Sequence, residues 1–178
     1  NVFTTVLEAL QYAVDNSAAE LKILCDVREK MTTDFYLNIN ADLTITADAP
    51  VKVEFYNDGT TYDFVVGSTN NNTLTIGENV HFDLVDRVIW LGYWGNNVTV
   101  VVNGYLGGYQ IWHGANTVVN GTLDSHGEAF VMRRDATLTA NEGAKVNANY
   151  FQIYSGHIVA ENATITAGLV WVNNNHDY

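Results

Sequence analysis

Apolar and polar positions recur along most of this chain in short blocks rather than on a helical period. Three-residue apolar segments begin at Leu74 (LTI), Val98 (VTV), Val118 (VVN), Leu138 (LTA) and Ile158 (IVA), spaced 24, 20, 20 and 20 residues apart. Each is followed by a turn-like group and a second apolar position, in ENVHF, VNGYL, VNGTL, NEGAKV and ENATI. A third segment completes each unit: VIWL at 88–91, QIWH at 110–113, FVMR at 130–133, QIYS at 152–155 and LVWV at 169–172. β-Branched residues dominate these segments, and Asn, Gly or Asp separate them.

A single three-strand unit of this size cannot bury its apolar side, but units stacked on one another can. Coils of about twenty residues with three strands each fit an all-β, right-handed, single-stranded parallel β-helix, its coils spaced ~4.8 Å apart. A β-sandwich is the rival, since it also uses many short strands. Sandwich hairpins would not keep the same order of segments through five repeats, so the β-helix is preferred.

Residues 1–70 are less regular. TTVLEALQYAVDNSAAE reads as a helix: Thr5 and Glu8 form a capping-box pattern, and Leu7, Leu10 and Val14 fall on one stripe. LKILCDV, FYLNI, LTITA, VKVEF and YDFVV supply strands for two looser coils. The expected layout is one domain over 1–178. It has a cap helix within 1–20, irregular coils over 21–70, regular coils over 71–172 and a tail over 173–178. The helix covers the open apolar end of the stack. No equivalent cap is visible at the other end, so further chain beyond Tyr178 or a partner subunit is expected to cover the last coil.

The opening helix TVLEALQYAV, then LKILCDV and LNINADLTITAD, then the coils resemble the pectate-lyase-like right-handed parallel β-helices. LNINADLTITAD is especially similar to openings of β-helical surface proteins and adhesins of Gram-positive bacteria. The resemblance covers the whole chain as architecture and implies a secreted or surface-attached bacterial protein. The group holds polysaccharide lyases, glycoside hydrolases, tailspikes and non-catalytic adhesins, so the fold does not choose the function.

Composition narrows the choice. Twenty acidic residues against eight basic ones give the 178-residue chain a formal charge of −12. That disfavours nucleic acid as a partner, because phosphate binding needs a positive surface. No apolar run is long enough to span a membrane. Cys25, the single cysteine, sits in an apolar run and is expected to be buried.

Lyases of the resembled group hold calcium with carboxylates and use a basic residue as base, while hydrolases use two or three aspartates on neighbouring coils. The nearest set here is Asp83 and Asp86 in one coil with Asp124, His126 and Glu128 two coils later, and Arg133 and Arg134 follow closely. Two coil steps separate them by roughly 9–10 Å, and LGGYQ on the intervening coil would leave a groove floor. Turn chemistry accounts for DLVDR and DSHGEA equally well. Calcium could use Asp83/Asp86 or Asp124/Glu128, although no loop of established calcium-binding spacing is present. Ser125 beside His126 makes no triad, and the five histidines show no metal spacing. His113 and His157 read as turn closers.

The third segments offer a different surface. Ile89, Ile111, Val131, Ile153 and Val170 align as an inward aliphatic column. Trp90, Trp112, Met132, Tyr154 and Trp171 then align as an outward one, with Gln110 and Gln152 on the same face. Exposed aromatic rows mark interaction sites. Aromatic faces stack on sugar rings while the amides bond to hydroxyls, and Tyr93, Trp94, Tyr105 and Tyr109 could widen the platform. Thr44, Thr75, Thr99 and Thr139 form an outward threonine row broken by Val119 and Val159. The function expected is a non-catalytic adhesin or binding module presenting one flat face to a glycan or a host or cell-surface protein. The alternatives are a polysaccharide lyase or hydrolase, and a structural spacer.

Overall fold

The chain is a parallel β-solenoid of about six turns, its strands stacked seven deep, with one N-terminal helix, seen in a computed structural model. The structure describes residues 1–57, 59–60, 62–92 and 97–173. Tyr93, Trp94 and all of the expected tail after Asn173 lie outside the described residues.

Helix α1 (Val6–Asp15) starts at Thr5, whose hydroxyl accepts the N–H of Glu8, the N-terminal half of the expected box. It is shorter than the sequence pattern suggested. Ser17 takes a left-handed φ of 51°, and strand β1 (Glu20–Lys22) follows. Val6, Ala9, Leu10 and Ala13 are its buried face, with Leu7 and Val14 packed partly beneath it. Glu29 supports its start: a carboxylate oxygen accepts the N–H groups of Val6 (2.7 Å) and Leu7 (3.3 Å). These are donors that a helix start otherwise leaves unpaired.

The first coil is β1, β2 (Val27–Lys30) and β3 (Phe35–Ile39), and the second is β4 (Leu43–Thr46), β5 (Val51–Tyr56) and β6 (Asp63–Ser68). Sequence reading missed β2, whose residues VREK are mostly charged and put only Val27 against the core. Cys25 is exposed rather than buried. The strand ends at Lys22, Ile23 takes the inward position, and the chain bends through Leu24 and Cys25.

Five further coils follow, each a short strand and a long bent one. They are β7 (Thr73–Ile76) with β8 (Val80–Leu91), β9 (Thr99–Val102) with β10 (Tyr105–His113), and β11 (Asn116–Val119) with β12 (Thr122–Met132). Then come β13 (Thr137–Ala140) with β14 (Lys145–Ile153), and β15 (His157–Ala160) with β16 (Thr164–Val172). The second and third segments of the repeat are thus one strand bent at a bulge. The short strands stack as a seven-stranded parallel sheet in the order β1-β4-β7-β9-β11-β13-β15. The long ones stack in a second sheet, where β5 and β6 pair with the two arms of β8.

Register corrects two alignments. Val100, not Val98, pairs with Leu74, and Thr117, not Val118, pairs with Leu138. Thr117 and Val119 therefore point inward and are buried, while the outward row runs Thr44, Thr75, Val101, Val118, Thr139, Val159. In the third segments, Ile111 pairs with Phe130 and Phe130 with Phe151. The inward column is Phe64, Ile89, Ile111, Phe130, Phe151 and Val170. A one-residue slip exchanges faces. Met132 is accordingly a core residue beneath His113, and Val131 stands in the outward column although fully covered. His113 is also interior, not a turn closer, whereas His157 opens β15 at the surface. The last coil leaves its inward positions Ile158, Ile165, Val170 and Val172 exposed.

Candidate functional site

Two groups of side chains lie on the outward face of the bent sheet, one on each arm. On the first arm, Asp83, Gly107 and Asp124 occupy successive coils at one register position. The expected two-coil separation of these carboxylates is present. The groove floor between them is not open. The ring of Tyr105 lies over Gly107, so close that a Cβ there would stand 2.5 Å from Cε1 and 2.6 Å from the hydroxyl. The Tyr105 hydroxyl donates to Asp124 (3.2 Å), and its ring stacks on His81 with centroids 3.8 Å apart and planes 3° from parallel.

His126 reaches the same cluster because of a bulge. Between its pairings with β10, strand β12 advances from Ser125 to Phe130 while β10 advances only from Gly108 to Ile111. The two extra residues push His126 out of the ladder. Its Nε2 lies 3.0 Å from Oδ1 of Asp83, and Nε2 of His81 lies 3.8 Å from Oδ2. Ser125 turns inward and bridges the bulge by donating to the Ala129 carbonyl (2.9 Å), so it is no partner for His126. Asp86 is exposed at the bend of β8, and Glu128 sits in the bulge. Neither joins the Asp83–Asp124 row.

The electrostatics follow from this placement. The bond to Asp83 raises the His126 pKa above its ordinary value, and burial lowers that of His81. Burial, reinforced by Asp83 and Asp124, drives the Tyr105 phenol far up, so it stays protonated and donating. An inverting hydrolase needs room for a water between its two carboxyls. Here the phenol ring takes that room. Among the described residues no group of three or more His, Cys, Asp or Glu side chains is arranged to hold a metal ion. Arg87, the one basic residue on these coils before Arg133 in the sequence, is fully buried and donates to the Thr60 carbonyl (2.6 Å).

On the second arm the outward column reads Val65, Trp90, Trp112, Val131, Gln152 and Trp171. Tyr154 stands two residues beyond Gln152, level with Arg133, since their N–H groups bond to the preceding coils' Met132 and His113 carbonyls. The rings do not form an open platform. Trp90 and Trp112 stack on each other, centroids 4.5 Å apart and 20° from parallel. The Arg133 guanidinium lies 4.2 Å from the Trp112 centroid and 4.9 Å from that of Tyr154. Tyr154 in turn meets Trp171 edge to face at 5.4 Å. Trp90 is anchored at the other end by donating Nε1–H to Asp63 (3.0 Å). The sequence sets Arg133 beside the Asp124–Glu128 carboxylates, whereas it lies on the aromatic row, and Asp63 was not foreseen. Trp90, Trp112, Gln110, Gln152 and Tyr154 are half-buried, and Trp171 is 44% exposed. What the row offers a ligand is ring edges, amides and the indole of Trp171.

No family model matches this chain, and neither a curated protein nor a solved structure matches it. The parallel solenoid stands on the structure, while the likeness to pectate-lyase-like proteins and Gram-positive adhesins rests on the sequence segments alone.

Proposed function

We propose that this chain is a non-catalytic binding module of a secreted or surface-attached bacterial protein, presenting the bent sheet's outward face to a glycan. The observation that carries the reading is the half-exposed row Trp90, Trp112, Gln152 and Trp171, with Gln110 and Tyr154 beside it, on one continuous parallel sheet. Aromatic edges and faces pack on sugar C–H groups, and the amides supply hydrogen bonds that fix orientation. The resemblance of LNINADLTITAD to adhesin openings supports the same reading. So does the phenol filling the space between Asp83 and Asp124. The test is a glycan array probed with the intact chain. Trp112→Ala with Trp171→Ala should abolish retained binding without changing the far-ultraviolet spectrum, and Asp83→Ala with Asp124→Ala should leave it. Binding that survives the tryptophan changes sinks the reading.

A hydrolase reading is favoured by one feature, the pairing of His126 with Asp83 two coils from Asp124. Release of reducing ends from a polysaccharide panel, lost in Asp83→Asn, would establish it.

A further inference from the structure

A second polar concavity lies around a corner from the aromatic row, where the chain turns into β7, β9, β11 and β13. It is an open cleft of about 360 Å³, lined chiefly by polar groups. That volume falls within the roughly 300–1,000 Å³ typical of small-ligand sites. Four successive corners build it: Asn71, then Asn97 and Thr99, then Asn116, then Arg134 and Asp135.

Its backbone is unusual. Asn71, Arg134 and Asp135 have φ values of 59°, 64° and 52°, so three of the five left-handed non-glycine residues among those described line this one cleft. At the neighbouring corners the left-handed position is filled by glycine, Gly92 (φ 78°) and Gly156 (φ 119°). Glycine would relieve the strain at Arg134 and Asp135 as well. Residues held in such conformations gather where their side chains are used. The strain is held in place by neighbours: the Asp135 N–H donates to Ser155 (3.1 Å), and the Arg134 Cδ would lie 3.1 Å from a Cβ at Gly114. Asn116 accepts the Thr137 N–H with its amide oxygen (3.0 Å), which leaves its amide N–H groups to donate.

The cleft therefore sets amide donors and acceptors, a hydroxyl, a guanidinium and a carboxylate around one concavity. One positive and one negative side chain leave it without net charge, on a chain whose formal charge of −12 repels anions at long range. The lining is too polar for an apolar ligand. We propose that this corner cleft binds a neutral sugar residue, whose hydroxyls donate to Asp135 and exchange hydrogen bonds with Asn71, Asn97, Asn116 and Arg134. The inference stands apart from the aromatic row and does not need it.

Saturation-transfer magnetic resonance and calorimetry on the intact chain test it, with neutral malto-, cello- and N-acetylglucosamine oligomers as probes. Oligogalacturonate and inorganic sulfate are the anionic comparison. At least one neutral oligomer should bind at millimolar concentration. Asn97→Ala with Asp135→Asn, which keeps a residue tolerant of positive φ, should weaken it at least about tenfold, a loss expected when hydrogen bonds to a polyol are removed. Glu142→Gln, on an exposed turn outside both surfaces, should leave it unchanged. Failure of every neutral oligomer, preference for the anionic probes, or undiminished binding by a folded double variant each overturns the proposal. Binding lost only in Trp112→Ala overturns it too, while leaving the aromatic-row reading intact.

Discussion

His126 and Asp83 meet at 3.0 Å although 43 residues separate them, the imidazole reaching over an entire coil to the carboxylate beyond it. The contact ties the third coil to the fifth without passing through the ladder of the fourth. Because Asp83 raises the folded-state pKa of His126, the pair stabilises the fold below the unfolded histidine value of about 6.5. That contribution is lost as pH rises through the folded value. Nuclear magnetic resonance titration should place the His126 midpoint above that of a free histidine, and Asp83→Asn should bring it down. An unmoved midpoint would show that the bond does not form in solution.

His113 should act with the opposite sign. It is wholly enclosed, and burial lowers its pKa to about 4. Its stabilising neutrality is complete above about 6.5 and is lost progressively as pH falls towards 4, a change on the order of 3 kcal/mol. Its Nε2 lies 3.0 Å from the Thr117 hydroxyl, which can donate to the Ala115 carbonyl (3.4 Å), while Nδ1 has no partner among the described residues. Replacing both ends with apolar groups, His113→Leu with Thr117→Val, should remove much of the acid sensitivity and cost little or even stabilise. Urea melts of the two proteins between pH 4 and 7 measure this directly.

Gly121→Ala should be among the most damaging single changes. A Cβ there would run into the carbonyl oxygens of Gly104 and Asn103, backbone atoms that cannot step aside. Overpacking of this kind costs roughly 1–3 kcal/mol, and here it should reach the upper end. Gly143 makes a useful contrast: its φ is 80° but nothing stands within 4 Å, so Gly143→Asn should be tolerated. Thermal melts of the two variants should diverge.

Arg133→Lys is not conservative here. A flat guanidinium lies against the rings of Trp112 and Tyr154, and an ammonium cannot reproduce the stacking. A loss of about 1 kcal/mol is expected, with the tryptophan fluorescence shifting as Trp112 loses its cover. An identical spectrum and melting temperature would show that the cation contributes nothing.

The solenoid was legible because the apolar segments starting at Leu74, Val98, Val118, Leu138 and Ile158 repeat at nearly constant spacing, and stacking is how so short a unit buries them. What defeated the finer alignment was polar chemistry inside the core. Thr117 and His113 bond to each other there, and an expectation of apolar residues at inward positions moves the register by one. A one-residue slip in β12 likewise hid Phe130 as an interior residue and promoted Met132 to the surface. The Asp83–Asp124 spacing could be read because Gly107 shares their register. That Tyr105 would fold over Gly107 could not, since side-chain direction across coils leaves no local pattern. Arg133 was grouped with the carboxylates and not with the aromatic row, because a cation beside such a row shows no periodicity of its own.

Each strand of the short-stranded sheet bonds only to its counterparts in the coils on either side. Tension applied along the solenoid axis thus falls on one seam at a time. The chain would yield like a strip peeled coil by coil, each released turn paying out roughly 70 Å of extended backbone while the turns behind it stay wound. For a protein working under shear, that is a sequence of small yields in place of one rupture.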